Sequence, residues 1–393
     1  MRVVVIDFQA SLNYTHHSQY IYSHVNFFKS YFTQSKVTIL LPIGSEIGKK
    51  QTNFPNNLLR ILIPTSYFPR TSYFKVSTWF TFLLSKIDKY IYSRSNLLSN
   101  LNKFTCSLIS LFTLMLVKKD VILFPSACPS ALRLIRLLNL LNFSTPIRVH
   151  FATPTRKDFN LNNFFTNKKL YNNLNIAFSF ETQEAKSKFS IRESENSFFY
   201  ARQPYLGLRP KVDVSEKNLI TKNIFVLGRP FDQTREDIIL RSIKKLGKNQ
   251  SHLNIYFNVY VTTNFITPLR VESDLFLNYI NLVSVPYNLP FLELANLIFR
   301  ADMVVLPYNP ETYKHLHSGL FFLVSDLNVP IITSYGCSFS NEVLEFNIGC
   351  LFKYSSDFSD SIPKILNNSF NFETYQSFRD SENMIIYSRL GVI

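Results

Sequence analysis

ADMVVLPYNPETYKHLHSGLFFLVSDLNVPIITSYG, residues 301–336, changes character three times, in the order strand, loop, helix, strand. Met303–Leu306 is an apolar run of buried-strand length. Pro307, Asn309 and Pro310 follow in a polar segment that a helix does not easily accommodate. Ser318 is placed to cap the apolar run Leu320–Leu327, and Gly319 lets a ligand approach the backbone. Asn328 can take the left-handed turn that ends such a helix, ahead of Pro330. Ile331–Thr333 supplies the second strand. The unit is α/β, and the amides at its helix start suit a phosphate.

Upstream, Asn223–Leu227 reads as a strand, followed by Gly228-Arg229-Pro230 and a helix from about Thr234. Arg235 stands six residues after Arg229. Two cations beyond one strand suit a nucleotide diphosphate, whose charge they offset as it leaves. Asp232, Glu236 and Asp237 are adjacent, so surface ion pairing is the other reading. Asn254–Val261 and Asn281–Val285 are further strands, with a helix at Leu289–Phe299. Pro286, Tyr287 and Asn288 sit at a strand end. Ser338–Glu345 and Ile348–Phe352 close this half.

These residues resemble the donor-site region of GT-B glycosyltransferases, most of all the family-four (group 1) kind. Val305-Leu306-Pro307-Tyr308 stands where those enzymes read "LPS" or "LPY". Ser318-Gly319 takes the place of the Gly-led helix, and Asn328-Val329-Pro330-Ile331-Ile332 that of "GKPVV". Gly228 with Arg229 and Arg235 resembles their diphosphate element, with Arg235 where a lysine is usual. The resemblance covers about residues 220–355. It implies an α/β GT-B fold, two Rossmann-like domains facing across a cleft. The expected division is 1–205 (acceptor domain), 211–370 (nucleotide-sugar domain) and a tail, 371–393, that crosses back. Residues 201–210 read as the hinge.

Many such enzymes carry two glutamates eight positions apart here, one for the sugar and one for the ribose. The second falls on Leu323 or Val324, neither of which has an oxygen. The first falls near His315, with Glu311 the only acid upstream in the loop. Tyr313, Lys314, His315 and His317 are the polar side chains available instead.

The first half is read from its own residues. Arg2–Phe8 is a β-branched first strand, and apolar positions from Tyr20 to Tyr31 fall at helical spacing. The loop between them lies beyond a strand end, where open sheets bind ligands. It lacks the glycines many GT-B enzymes have there. His16-His17-Ser18-Gln19-Tyr20 resembles a pattern in some bacterial sugar transferases. His17 either touches acceptor or donor phosphate or is a capping, surface histidine. Val37–Leu41, Leu59–Ile63, Asp120–Phe124, Pro146–Phe151 and Asn175–Phe178 are strand candidates, the last closing the domain. His150 ends one of them. It either bonds a sugar hydroxyl or moves a proton near neutral pH, or it is structural. Arg156, Lys157 and Asp158 follow in a loop. Glu181 reads as the first residue of a helix, where the dipole favours it.

Charge divides the chain. Residues 1–205 hold 25 basic and 9 acidic side chains, residues 206–393 hold 17 and 18. The basic half seeks anionic partners: a membrane surface or a phosphate-bearing acceptor, unless it is simply solvated. Residues 67–102 interleave Arg70, Lys75, Lys86, Lys89 and Arg94 with aromatics, as interfacial helices do. No basic run resembles a nucleic-acid module. Phe104–Val117 is too short to span a bilayer and suits a buried or interfacial helix. Cys106, Cys128, Cys337 and Cys350 fit neither a metal site nor a disulfide framework, and the N-terminus reads as a strand rather than a signal peptide.

The expectation is therefore a cytoplasmic protein, peripheral on the inner face of the plasma membrane. It transfers a sugar from a nucleotide-sugar to a glycan or lipid-linked acceptor. Arg229, Arg235, Ser318, Gly319, Leu320 and Glu311 hold the donor, and His150 and His17 the sugar or acceptor. No metal or other cofactor is expected, and no nucleic acid. The alternatives are a GT-B-shaped binding or assembly protein without turnover, and another nucleotide-sugar enzyme of this fold, such as an epimerase.

Overall fold

The structure, a computed structural model, describes residues 1–8, 16–42, 58–63, 107–152, 161–189, 197–207, 221–228, 237–239, 241–243, 245, 256–262, 280–286, 289, 291–314 and 316–393. The chain forms two compact units. The first comprises Met1–Gln203 and Asn383–Ile393, the second Pro204–Glu382.

In the first unit β1 (Arg2–Ile6), β2 (Lys36–Pro42), β3 (Leu58–Ile63), β4 (Val121–Phe124), β5 (Ile147–Phe151), β6 (Ile176–Phe180) and β7 (Phe198–Tyr200) form one sheet in the order 3-2-1-4-5-6-7. Every pair is parallel. Burial on both faces explains why β1 and β4 read as unbroken rather than alternating apolar runs, and β5 and β6 are buried along their whole length even where Arg148, His150 and Ser179 stand in them. The helices are α1 (His16–Tyr31), α2 (residues 107–116), α3 (Pro129–Leu140), α4 (Leu161–Thr166) and α5 (Gln183–Phe189). A core of strand residues such as Val4, Ile122, Val149 and Phe178 packs on Leu111 and Leu114 of α2 and Leu134 and Leu138 of α3.

The second unit repeats the plan. β8 (Thr221–Val226), β9 (Tyr256–Thr262), β10 (Ile280–Val285), β11 (Met303–Leu306), β12 (Ile331–Ser334) and β13 (Gly349–Phe352) are ordered 10-9-8-11-12-13, again all parallel. Its helices are α6 (Phe291–Phe299), α7 (Pro310–Tyr313), α8 (Gly319–Asp326), α9 (Ser340–Glu345), α10 (Ser355–Asn367) and α11 (Phe372–Arg389). Residues 237–239 and 241–243 are also helical. The last helix belongs to the second unit through Glu382 and to the first from Asn383.

Three sequence expectations change. The polar segment after β11 holds a turn of helix, because Asn309 caps the Glu311 amide and Pro310 occupies the first helical turn, where its missing N–H costs nothing. β7 extends the first sheet past the strand taken as last; three residues are too few for a periodic signal. Glu181 precedes its helix, which starts at Gln183 with Thr182 accepting from the Ala185 amide at 3.0 Å. Asn142, Asn328 and Asn347 all turn left-handed just past α3, α8 and α9, the role often taken by glycine.

Candidate functional site

The order 3-2-1-4 reverses between β8 and β11, and ligands bind open parallel sheets beyond the carboxyl ends at such a reversal. Three side-chain environments converge there. Gly228, two residues past β8, holds φ at +92°, and a Cβ on it would lie 2.7 Å from the Tyr308 ring. Only glycine fits both conditions. Tyr308 is buried, stacks on Tyr313 at 4.1 Å between centroids, and shares a 2.6 Å hydrogen bond with Ser318 Oγ. Ser318 Oγ accepts from the Leu320 and Phe321 amides at 3.2 and 3.3 Å, as the sequence suggests for a cap. Those two amides are thus engaged by the protein, and Gly319 is the helix-start residue the cap does not meet.

Behind this cap, His317 stacks on Phe322 at 5.2 Å with ring planes 8° apart. Its Nε2 lies 3.5 Å from Glu342 Oε1, and the Tyr375 hydroxyl donates to Glu342 Oε2 at 3.0 Å. Asp326 at the far end of α8 pairs with Arg379, accepts from the Leu206 amide at 3.1 Å, and is raised to about 6 by burial. Arg379 also donates to the Pro204 carbonyl at 3.0 Å. The helix is thereby anchored at both ends.

Among the residues singled out from the sequence, Ser318, Gly319 and Leu320 form the α8 start beside Gly228 and Tyr308. Glu311 is exposed on α7. Leu323 and Val324 are fully buried, so an acid at either place would enter the core. Lys314 is exposed and Tyr313 stacks on Tyr308. Arg229, Arg235, His315, the 156–158 loop, residues 67–102 and Cys106 lie outside the described residues. His17 lies in the first turn of α1, and its side chain is likewise outside them.

The first unit gathers a second polar group at the carboxyl ends of its strands. His150 on β5 is in register with Ser179 on β6, and Glu181 follows two residues on. His150 Nδ1 lies 2.9 Å from Ser179 Oγ and Nε2 lies 3.2 Å from Glu181 Oε1, with all three side chains buried. Arg148 Nε donates to the same Ser179 oxygen at 3.3 Å, so the Ser179 hydroxyl is free to donate to Nδ1. The tautomer that satisfies this chain carries its proton on Nε2, facing Glu181. Burial, then the Arg148 charge, hold the His150 pKa well below its ordinary value. Tyr20 of α1 packs edge-on to the His150 ring and hydrogen-bonds Glu181; burial, then Glu181, raise its pKa well above the usual range. Arg148 reaches Asn383 and the Tyr387 hydroxyl of α11. Tyr387 in turn meets His24 Nδ1 at 3.3 Å. Sequence reading found His150 but not its partners. The signal was the i, i+2 spacing of Arg148 and His150 on one strand and of Ser179 and Glu181 along the next.

No protein-family profile matches the chain, and no curated protein matches it. Solved structures do. The UDP-GlcNAc 2-epimerase from Methanocaldococcus jannaschii superposes with a TM-score of 0.57 at 12% identity, over 98% of this chain and 100% of that one. A candidate UDP-N-acetylglucosamine 2-epimerase from Listeria monocytogenes gives 0.55 at 9% identity, over 97% and 90%. The Candida albicans trehalose-6-phosphate phosphatase N-terminal domain gives 0.50 at 14%, over 99% and 92%. The chain has the GT-B fold.

A GT-B chain carries one strand-order reversal per unit, and both do so here. The glycine-tyrosine-serine group lies at the second. At the first, Asp7 follows β1 and is fully buried, and Pro125 and Ser126 follow β4. The Pro125 carbonyl accepts from Gln203 at 2.8 Å. Among the described residues no helix is long and apolar enough to cross a membrane, and no three His, Cys, Asp or Glu side chains are grouped as metal ligands.

Proposed function

We propose that this protein binds a nucleotide-activated sugar on its second unit and transfers the sugar to a glycan or lipid-linked acceptor. One observation carries the reading: Gly228, Tyr308 and Ser318 pack into a single group at the β8–β11 reversal, beside the start of α8. That arrangement brings bare backbone, a hydroxyl pair and a helix terminus to one place, as a diphosphate requires. Arg229 directly follows Gly228 in the chain, and Arg235 stands two positions before the helical residues 237–239. Their guanidinium groups offset the charge of the leaving diphosphate. Glu311 and Leu320 border the same loop and helix start. The proposal assigns no metal to the chemistry and places the protein in the cytoplasm.

On the first unit the proposal gives His17 to the acceptor and lets His150 act through Glu181. With both ring nitrogens facing neighbours, His150 serves to position the carboxylate, which Tyr20 also holds. A second reading has a specific observation behind it. The core positions of Leu323 and Val324 leave no carboxylate for ribose hydroxyls, which suits a binding protein without turnover. An epimerase reading has only the shared fold behind it.

Thermal-shift measurements with UDP, GDP, ADP and CMP decide first. Stabilisation by one of them, lost in Arg229→Ala and Arg235→Ala, is the expected result; no shift with any nucleotide sinks the reading. Donor hydrolysis or transfer then separates an enzyme from a binding protein, and conversion of the free donor to its epimer would identify an isomerase. Turnover is expected to survive EDTA.

A further inference from the structure

Helix α2 is built inside out. Its inward face includes Ser107 and Ser110 beside Leu111 and Leu114. Its outward face carries Ile109, Phe112, Met115 and Leu116, with Phe112 62% and Leu116 86% exposed. A helix packed on a soluble domain normally presents the reverse pattern. The apolar surface does not stop there. Leu140 and Leu141 at the end of α3 are also exposed. The Lys119 ammonium donates to the Leu114 and Val117 carbonyls while lying 4.9 Å from the centre of the Phe143 ring. Asn139 Nδ2 donates to the Lys169 carbonyl at 2.9 Å, which brings the 168–169 turn to the same rim.

The charged side chains of the described segments that carry this surface have one sign. Residues 107–119, 129–147 and 161–176 contain Lys118, Lys119, Arg133, Arg136, Lys168 and Lys169 and no aspartate or glutamate. Asp120, next in sequence, is held by Arg2, whose backbone amide and guanidinium both bond it. All three segments lead into the amino ends of β4, β5 and β6, the opposite end of the sheet from His150 and Glu181.

We propose that this face, Phe112, Met115, Leu116, Leu140 and Leu141 with Lys118, Lys168 and Lys169 at the rim, docks on a bilayer carrying anionic headgroups. Apolar side chains enter the boundary between headgroups and acyl chains while lysines reach the phosphates, the division of labour of interfacial helices. A second copy of this chain is a poor occupant, because a two-fold contact would set the lysine rim against itself. The proposal adds a partner to the nucleotide-sugar reading and does not depend on it. It places the carboxyl ends of the first sheet away from the lipid.

Cosedimentation of the full chain with phosphatidylcholine vesicles, with and without phosphatidylglycerol, tests it. Binding is expected only with the anionic lipid and is expected to fall as salt rises. Replacing Lys118 or Lys168 by glutamine should weaken it about fivefold each. The double variant Met115→Glu, Leu116→Glu should abolish it while keeping the wild-type circular dichroism and any nucleotide-induced shift, since both side chains are exposed. Failure to bind anionic vesicles overturns the proposal, and so does wild-type binding by the double variant. A concentration-dependent dimer that the same variant dissolves would assign the face to a second copy and overturn it equally.

Discussion

Gly228→Ala asks one methyl group to occupy space held by the Tyr308 ring, on a backbone that L-residues avoid. Strain of this kind costs about 1–3 kcal/mol. The displaced ring should also loosen its bond to Ser318. Chemical denaturation is expected to show the stability loss, and the nucleotide-induced thermal shift is expected to vanish with it. A variant as stable as wild type with its shift intact would remove Gly228 from the site. His150 makes a pH prediction. Its folded pKa lies below the unfolded value of about 6.5, so the unfolded chain binds the extra proton first. Stability should therefore fall as pH drops below about 6.5, by at most about 1.4 kcal/mol per pH unit for each such histidine. His24, also lowered by burial and then Arg148, adds to the slope. Melts between pH 7 and 5 should be flatter in His150→Gln; an unchanged slope would mean that His150 is not the titrating group. At this scale the sequence was partly legible. Ser318 as a cap and Asn328 as a left-handed turn follow from residue type alone. Glu181 did not, because its partner is set by strand register, which only the folded sheet supplies.

Helix α8 shows how an element with little polar surface is held in place. Six of its eight residues are buried, from Phe321 to Asp326, so its orientation is fixed by side chains at its ends. Ser318 meets it at the start, and the Asp326–Arg379 pair at the finish. Removing one member of a buried pair leaves an uncompensated charge, at a cost of about 3–5 kcal/mol. Arg379→Met is accordingly expected to lower the unfolding free energy of the second unit by that amount in chemical denaturation, while the double replacement Asp326→Leu, Arg379→Met recovers most of it. If the single variant is as stable as wild type, the pair does not anchor the helix. Strands were the most legible elements, because Val, Ile, Leu and Phe runs of four to seven residues between turn residues have few other readings. Short elements escaped. A turn of helix such as α7 and a three-residue strand such as β7 carry too few residues for a period to show.

For the whole molecule, the order of strands in each sheet was not written in any periodicity. It entered through the likeness of residues 220–355 to a known fold and is met by both sheets. The molecular scale also shows how the first unit depends on the far end of the chain. Arg148 is fully buried, and two of its partners, Asn383 and Tyr387, come from α11. Asn383 Nδ2 donates to the Arg202 carbonyl at 3.2 Å, and Asn175 donates to the Leu390 carbonyl at 2.9 Å. A chain ending at Glu382 should keep the second unit's nucleotide-induced shift but lose amide-exchange protection in β5 and β6. Undiminished protection there would show the tail to be dispensable.

That dependence has a meaning during synthesis. The ribosome delivers β1 to β7 long before it delivers Asn383, with the whole second unit translated in between. At 5–20 residues per second the interval is roughly ten to forty seconds. Throughout it the nascent first half holds a guanidinium that has a place in the core but not yet its full set of acceptors. The amino-terminal half can collapse early, yet it matures only after residues 383–390 have been made.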